Sequence, residues 1–219
     1  MALELGVQDI ELDVRLSRDG VPVVFHDEAL DRTTNGTGPL HHHSLTQLDR
    51  LDAGAWFGPK YAGERIPTLD QVLERYRDKA FLHIELKVAG SDMASRLASL
   101  LQKHNAYDAT MVVSFHEEAL LQVKGAAPEE RLGWLVTRWD EGTTAHAKDM
   151  GFQYLCPLAS AVTPALVDSA HAKGLAVRTW AVKSDQEILR MFQCGVDGMT
   201  LDAPDRALSI SRITVGGGA

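Results

Sequence analysis

Two short segments concentrate side chains able to do chemistry. Ile10-Glu11-Leu12-Asp13-Val14 places carboxylates at alternate positions, and Phe81–Lys87 repeats the arrangement with His83, Glu85 and Lys87. Side chains along a strand alternate between its two faces. Ile10, Leu12 and Val14 therefore share one face, and Glu11 and Asp13 the other. Ile84 and Leu86 likewise oppose His83, Glu85 and Lys87. Neighbouring strands lie about 4.8 Å apart, so if these two are neighbours, Glu11, Asp13 and Glu85 converge. Three unpaired carboxylates repel and raise one another's pKa. A hard divalent cation removes the conflict, and oxygen-only ligands suit Mg²⁺ or Ca²⁺ better than Zn²⁺. Ion pairs with Lys87 and arginines remove it equally well. Spacing alone leaves both readings open.

His26 ends the extended piece Val21–Phe25 and precedes Asp27. A histidine beside carboxylates is a candidate general acid or base; a surface histidine is the alternative. Trp180 ends another strand, where its ring either packs on a ligand's apolar part or serves the core. The turn Asn35-Gly36-Thr37-Gly38 could offer backbone N–H groups to an anion. His41-His42-His43 do not share a face and read as solvent-exposed.

These residues need a frame. Strands are expected at Val7–Val14, Phe81–Leu86, Thr110–Ser114, Arg131–Val136, Gln153–Cys156, Leu175–Trp180 and Val196–Thr200. Val21–Phe25 follows the first across an Asp19-Gly20 turn. Helices between them carry their own punctuation. Thr68…Gln71 and Ser184…Glu187 have capping-box spacing. Thr163-Pro164 starts one helix, and Gly174 and Gly195 end helices. Repeated β-α units imply a parallel sheet covered by helices. Seven such strands with no dinucleotide fingerprint favour an α/β barrel of the (β/α)8 type. Eight strands close such a barrel, so one strand–helix unit is lacking. Residues 1–208 read as one barrel domain and 209–219 as a tail. Residues 27–67 show no clear periodicity, which marks a functional loop.

Composition narrows the partners. The 219 residues hold 22 Lys and Arg against 30 Asp and Glu, a net charge of −8. Nucleic acids and anionic membranes need a cationic footprint, so neither is expected as the main partner. The two cysteines, Cys156 and Cys194, exclude a disulfide scaffold and point to a reducing, cytoplasmic setting. No apolar run reaches the ~18 residues of a membrane span, so no stable membrane insertion is expected.

Taken together, the motifs resemble those of glycerophosphodiester phosphodiesterases. The resemblance rests on Ile-Glu-Leu-Asp-Val at 10–14, Asp-Gly-Val-Pro-Val-Val-Phe-His-Asp at 19–27 and Leu-Asp-Arg-Thr-Thr-Asn-Gly-Thr-Gly at 30–38. Ile-Pro-Thr-Leu at 66–69, Ile-Glu-Leu-Lys at 84–87, the Trp180 strand and Gly-Val-Asp-Gly at 195–198 extend it. It runs from about residue 2 to about residue 206, and the ordered set is far more specific than any one motif. The resemblance implies a TIM barrel that hydrolyses glycerophosphodiesters to glycerol 3-phosphate and an alcohol with one divalent cation, Mg²⁺ or Ca²⁺. Residue by residue it implies Glu11, Asp13 and Glu85 as metal ligands and His26 as one of two catalytic histidines. It also implies Lys87 as a phosphate-site lysine and Trp180 as an aromatic lining the substrate pocket.

The family's opening strand bears His-Arg-Gly, followed by Glu-Asn-Thr and the first helix. Met1–Gly6 resembles only the end of that helix. The missing pattern would have supplied a catalytic histidine, a phosphate-binding arginine and a metal-ligand glutamate. Weak or no diesterase activity is therefore expected of the chain as written, with a non-catalytic phosphate-binding barrel as the alternative. Lys183 replaces a usual asparagine, and Leu201 before Asp202 replaces a usual threonine. Three occupants could cover the open barrel edge: further sequence before Met1, a second copy in a homodimer, or the tail Ser211–Val215 as a strand.

Overall fold

The computed structural model describes residues 2–216, the side chains of residues 91 and 212–216 aside. Its strands are β1 (Asp9–Leu16), β2 (Pro22–Val24), β3 (Phe81–Leu86), β4 (Thr110–Ser114), β5 (Leu132–Val136), β6 (Tyr154–Pro157), β7 (Ala176–Thr179) and β8 (Gly198–Met199). They form one sheet in the order β2-β1-β3-β4-β5-β6-β7-β8. β2 folds back antiparallel on β1, and the other seven run parallel, as the sequence predicts. Gly20, at φ +77°, makes the turn into β2.

Helices α1 (Leu45–Leu48), α2 (Leu69–Tyr76), α3 (Ser91–His104), α4 (Glu117–Ala126), α5 (Glu141–Asp149), α6 (Pro164–Ala172), α7 (Asp185–Cys194) and α8 (Pro204–Gly216) follow. Both expected capping boxes form, at Thr68 on α2 and Ser184 on α7. Thr163 caps α6 ahead of Pro164. Each such cap is worth about 1 kcal/mol. The outer face of the sheet supplies Val14, Ile84, Leu86 and Val177 to the main core, where Leu97, Leu120 and Ile188 of the helices meet them. Burying each such side chain contributes roughly 1.5–3 kcal/mol. That gain commits the apolar face outward and leaves the polar face inside.

Residues 27–67 are more ordered than their lack of periodicity suggests. Val23, Phe25, Leu30, Leu40, Leu48 and Ile66 form a separate small core. The Asp52 carboxylate accepts N–H groups from Gly54, Ala55 and Gly63. In the Asn35–Gly38 turn, the N–H groups of Asn35, Gly36 and Gly38 bond to Asp52 O, Thr34 Oγ1 and Asp31 Oδ2. Those donors are spent within the loop, so the turn is no anion cradle.

Among the described residues, no ladder joins β8 to β1. A cleft of about 630 Å³ lies between them, bordered by Val7, Asp9, Arg178 and Leu208. The expected open edge is present. The tail does not close it as a strand: residues 211–216 continue α8. Pro204 suits a first helical position, and Ala207 and Ile210 pack on the main core. That packing overrides the local strand preference of Ile213-Thr214-Val215. Among the described residues, no helix is long and apolar enough to cross a membrane.

Candidate active site

The inner face of the sheet curls around a cavity of about 380 Å³ that receives side chains from β1 and from every strand between β3 and β7. β1 pairs with β3 so that Glu11 aligns with His83 and Asp13 with Glu85. Carboxylate oxygens of Glu11, Asp13 and Glu85 lie within 4.8 Å of one another. The predicted convergence is real.

Ion pairing resolves only part of the conflict. Lys87 Nζ lies 2.9 Å from Asp13 Oδ1 and 2.6 Å from Glu85 Oε1. Burial pulls the Lys87 ammonium down, but its bonds to Glu85 and Asp13 together hold it above its ordinary value. Burial outweighs Lys87 at Glu85 and leaves that carboxyl above its usual range. Glu11 stands apart, because its Oε1 is enclosed and has no hydrogen-bond partner. Burial first, then repulsion from Asp13 and Glu85, pushes its carboxyl up to about 8. One ammonium cannot neutralise three carboxylates. The orphaned Glu11 oxygen marks where positive charge is still lacking, and an all-oxygen donor set fits a hard divalent ion.

His26 reaches the same cavity from the chain that follows β2. The Phe25 N–H donates to Asp13 O at 2.9 Å, tying that segment to β1. His26 Nδ1 lies 2.6 Å from Asp27 Oδ1, and Arg32 grips both Asp27 oxygens, at 2.5 and 2.8 Å. Arg32 first, then His26, holds the Asp27 carboxyl far below the usual range. An ionised Asp27 fixes Nδ1 as the donor and leaves Nε2 of the ring free. The side chain of His26 is 63% exposed, so substrate can reach it.

The core reading of Trp180 holds, since it packs against the cluster of Met111, Val113, Leu135 and Cys156. Its ring lines the cavity and meets Phe115 edge-on at 5.1 Å and 90°. Its Nε1–H is buried without an acceptor.

Sequence reasoning missed the Asp27–Arg32 brace, because residues five apart in a loop carry no periodic signal. It also missed Arg178, which lines the cavity two residues before Trp180. The period-two rule that placed Glu85 and Lys87 together would have found it. His83 was placed on the inner face without a partner. Its Nε2 lies 2.9 Å from Asp9 Oδ1, and burial, with the charge of Arg178, lowers its pKa to about 4. It is neutral at pH 7.

Comparison with known proteins agrees with this geometry. Residues 1–206 match the model of the glycerophosphoryl diester phosphodiesterase family. The chain is 37% identical over 220 residues to a glycerophosphodiester phosphodiesterase of Caldanaerobacter subterraneus subsp. tengcongensis, covering 96% of this chain and 88% of that one. An Oleispira antarctica phosphodiesterase, solved in complex with the product sn-glycerol-3-phosphate, matches with TM-score 0.90 and 29% identity over 96% of this chain and 87% of that one. A glycerophosphodiester phosphodiesterase from Agrobacterium tumefaciens str. C58 matches with TM-score 0.83 and 31% identity over 95% and 89%. With barrel, acidic cluster and whole-chain similarity in agreement, this chain belongs to the glycerophosphoryl diester phosphodiesterase family.

Proposed function

We propose that the protein hydrolyses glycerophosphodiesters to glycerol 3-phosphate and an alcohol, using a divalent cation, Mg²⁺ or Ca²⁺, held by Glu11, Asp13 and Glu85. The observation that carries this reading is the convergence of three carboxylates around an unpartnered Glu11 oxygen. A cation bound there would polarise the phosphodiester and offset charge developing on its oxygens. The chain's own residues do the rest. His26, oriented through Nδ1 by Asp27, in its doubly protonated form presents Nε2–H to the cavity and passes that proton to the leaving alcohol oxygen, while a water from solvent adds to phosphorus and releases its own proton to solvent. Lys87 spends two of its donors on Asp13 and Glu85 and has a third for a phosphoryl oxygen. Phe115 and Trp180 form an apolar wall against the carbon atoms of the glycerol. The Oleispira relative's complex with sn-glycerol-3-phosphate supports the product assignment.

The test is release of glycerol 3-phosphate from glycerophosphocholine by the purified chain, with Mg²⁺, with Ca²⁺ and with chelator. Cation-dependent release is expected, weak at most in the chain as written, because the family's His-Arg-Gly and Glu-Asn-Thr motifs are not in it. His26→Ala should lower the rate by about 10²–10⁴-fold while calorimetry shows cation affinity intact; an unchanged rate removes His26 from the chemistry. Binding of cation and glycerol 3-phosphate without turnover would replace the hydrolase with a non-catalytic phosphate-binding barrel.

A further inference from the structure

The cations around the cavity are not equivalent. Lys87 is engaged by two carboxylates, and Arg32 by Asp27. Lys183 stands at the rim, exposed to solvent, where ions screen its charge. Arg178 differs from all three. It lies on β7, is half-buried, and lines both this cavity and the cleft between β8 and β1. Its Nε is fully enclosed and has no hydrogen-bond partner. Among the described residues, no carboxylate or carbonyl is bonded to its guanidinium.

Two further features single out this side chain. Arg178 pairs in register with Gly198 of β8, and a Cβ at position 198 would come within 2.7 Å of Arg178 Nη1. The glycine leaves room for the guanidinium to lie against β8. The Nη atoms of Arg178, unlike Nε, are not enclosed, and among the described residues neither has a hydrogen-bond partner, so they are the donors open to a ligand. A half-buried guanidinium with an enclosed, unpartnered Nε is a standing cost to the fold. Burial accordingly holds Arg178 below its ordinary pKa, with Asp9, Cys156 and Glu11 only partly offsetting it. An anion binding from solution would offset that cost.

We propose that Arg178 is an anion-binding residue of this cavity alongside Lys87, its guanidinium taking oxygens of the substrate's phosphoryl group. The identity of the anion rests on the proposed function; the existence of an anion subsite does not. A planar fork of donors matches phosphoryl oxygens in a way that a lysine does not.

The experiment compares wild type, Arg178→Met and Arg178→Lys. Thermal melts without ligand are paired with calorimetric titration of sn-glycerol 3-phosphate and of inorganic phosphate, in chelator and again with Mg²⁺. Arg178→Met should melt at or above wild type, because an unpaired, half-buried charge is gone. It should also lose the phosphate-induced rise in melting temperature and bind glycerol 3-phosphate at least about tenfold more weakly. KM for glycerophosphocholine should rise by a similar factor, with a smaller change in kcat. Arg178→Lys should bind several-fold more weakly than wild type. Should the methionine variant not fold, the lysine variant decides the matter. A variant that melts lower than wild type with affinity intact would assign Arg178 a structural role and overturn the proposal. So would wild-type protein that binds neither phosphate compound. Arg178-dependent binding without diester turnover would keep this subsite and remove the hydrolase reading. Turnover with KM and affinity unchanged in Arg178→Met and Arg178→Lys would do the reverse.

Discussion

Glu11 and Glu130 look alike by one measure. Each has an enclosed carboxyl oxygen with no partner, and each carboxyl is raised, to about 8 at Glu11 and about 7 at Glu130. Burial is the largest cause at both. The surroundings separate them. Glu11 faces a cavity and is pushed further by two other carboxylates. Glu130 sits two residues before β5, beside the start of β4, and among the described residues its one bonded side chain is the Thr110 hydroxyl at 3.0 Å. A raised carboxyl therefore does not by itself mark a site. Acids that converge on an accessible cavity do, because there a ligand can supply the missing charge.

The largest effect that would test this contrast is at Glu11. Glu11→Gln removes a charge and a cation ligand together. Calorimetric affinity for Mg²⁺ or Ca²⁺ should fall by at least about 100-fold, more than the loss of an outer-shell partner usually costs, and diester hydrolysis should fall with it. The metal-free variant should melt higher than wild type at pH 7, because wild-type Glu11 must take up a proton on folding and glutamine need not. Unchanged cation affinity would break the comparison and leave Glu11 as one more buried acid.

The sequence showed the Glu11 half of this comparison and hid the Glu130 half, for a physical reason. Glu11, Asp13 and Glu85 lie on two strands whose alternation and neighbouring positions follow from local pattern. The same locality made the seven parallel strands, the caps at Thr68, Thr163 and Ser184 and the open β1–β8 edge readable. Glu130 is buried by contacts from a segment 20 residues away, which no period announces. The Asp9–His83 pair, 74 residues apart, was hidden likewise. Local preference failed at α8, where Ile-Thr-Val favours a strand but a helix begun at Pro204 packs on the core. Residues 27–67 failed in the other direction, since a core of widely spaced leucines leaves no repeat to detect.

Glu130→Gln gives the next effect, in stability alone. With a folded pKa of about 7 against an ordinary value of 4.5, the native state holds a proton that the unfolded state has released. Wild-type stability therefore contains a contribution fully present below about pH 4.5 and lost as pH rises through about 7. Glutamine removes that dependence. The variant should gain up to about 3 kcal/mol over wild type at pH 8 and almost nothing at pH 4, read from denaturant midpoints at the two pH values. Hydrolysis and cation affinity should not change. A gain at pH 4 equal to that at pH 8 would mean Glu130 does not titrate in this window.

The smallest effect concerns how Glu130 is tolerated at all. Thr110 Oγ1 lies 2.9 Å from Ala106 O as well as 3.0 Å from Glu130 Oε2. One hydroxyl has one proton. With Glu130 ionised, that proton serves either the carboxylate or the carbonyl. With Glu130 protonated, the acid donates to Thr110 and Thr110 donates to Ala106, so both bonds form. The neutral carboxyl thus completes a short chain, whereas a neutral Glu11 would still face two carboxylates. Thr110→Val keeps the shape and removes the relay. It should cost about 1–2 kcal/mol at pH 5, leave hydrolysis untouched and couple to Glu130→Gln by on the order of 1 kcal/mol in a double-mutant cycle. A cost near zero would mean the relay contributes nothing, and burial alone would then set Glu130 apart from the charged cluster around Glu11.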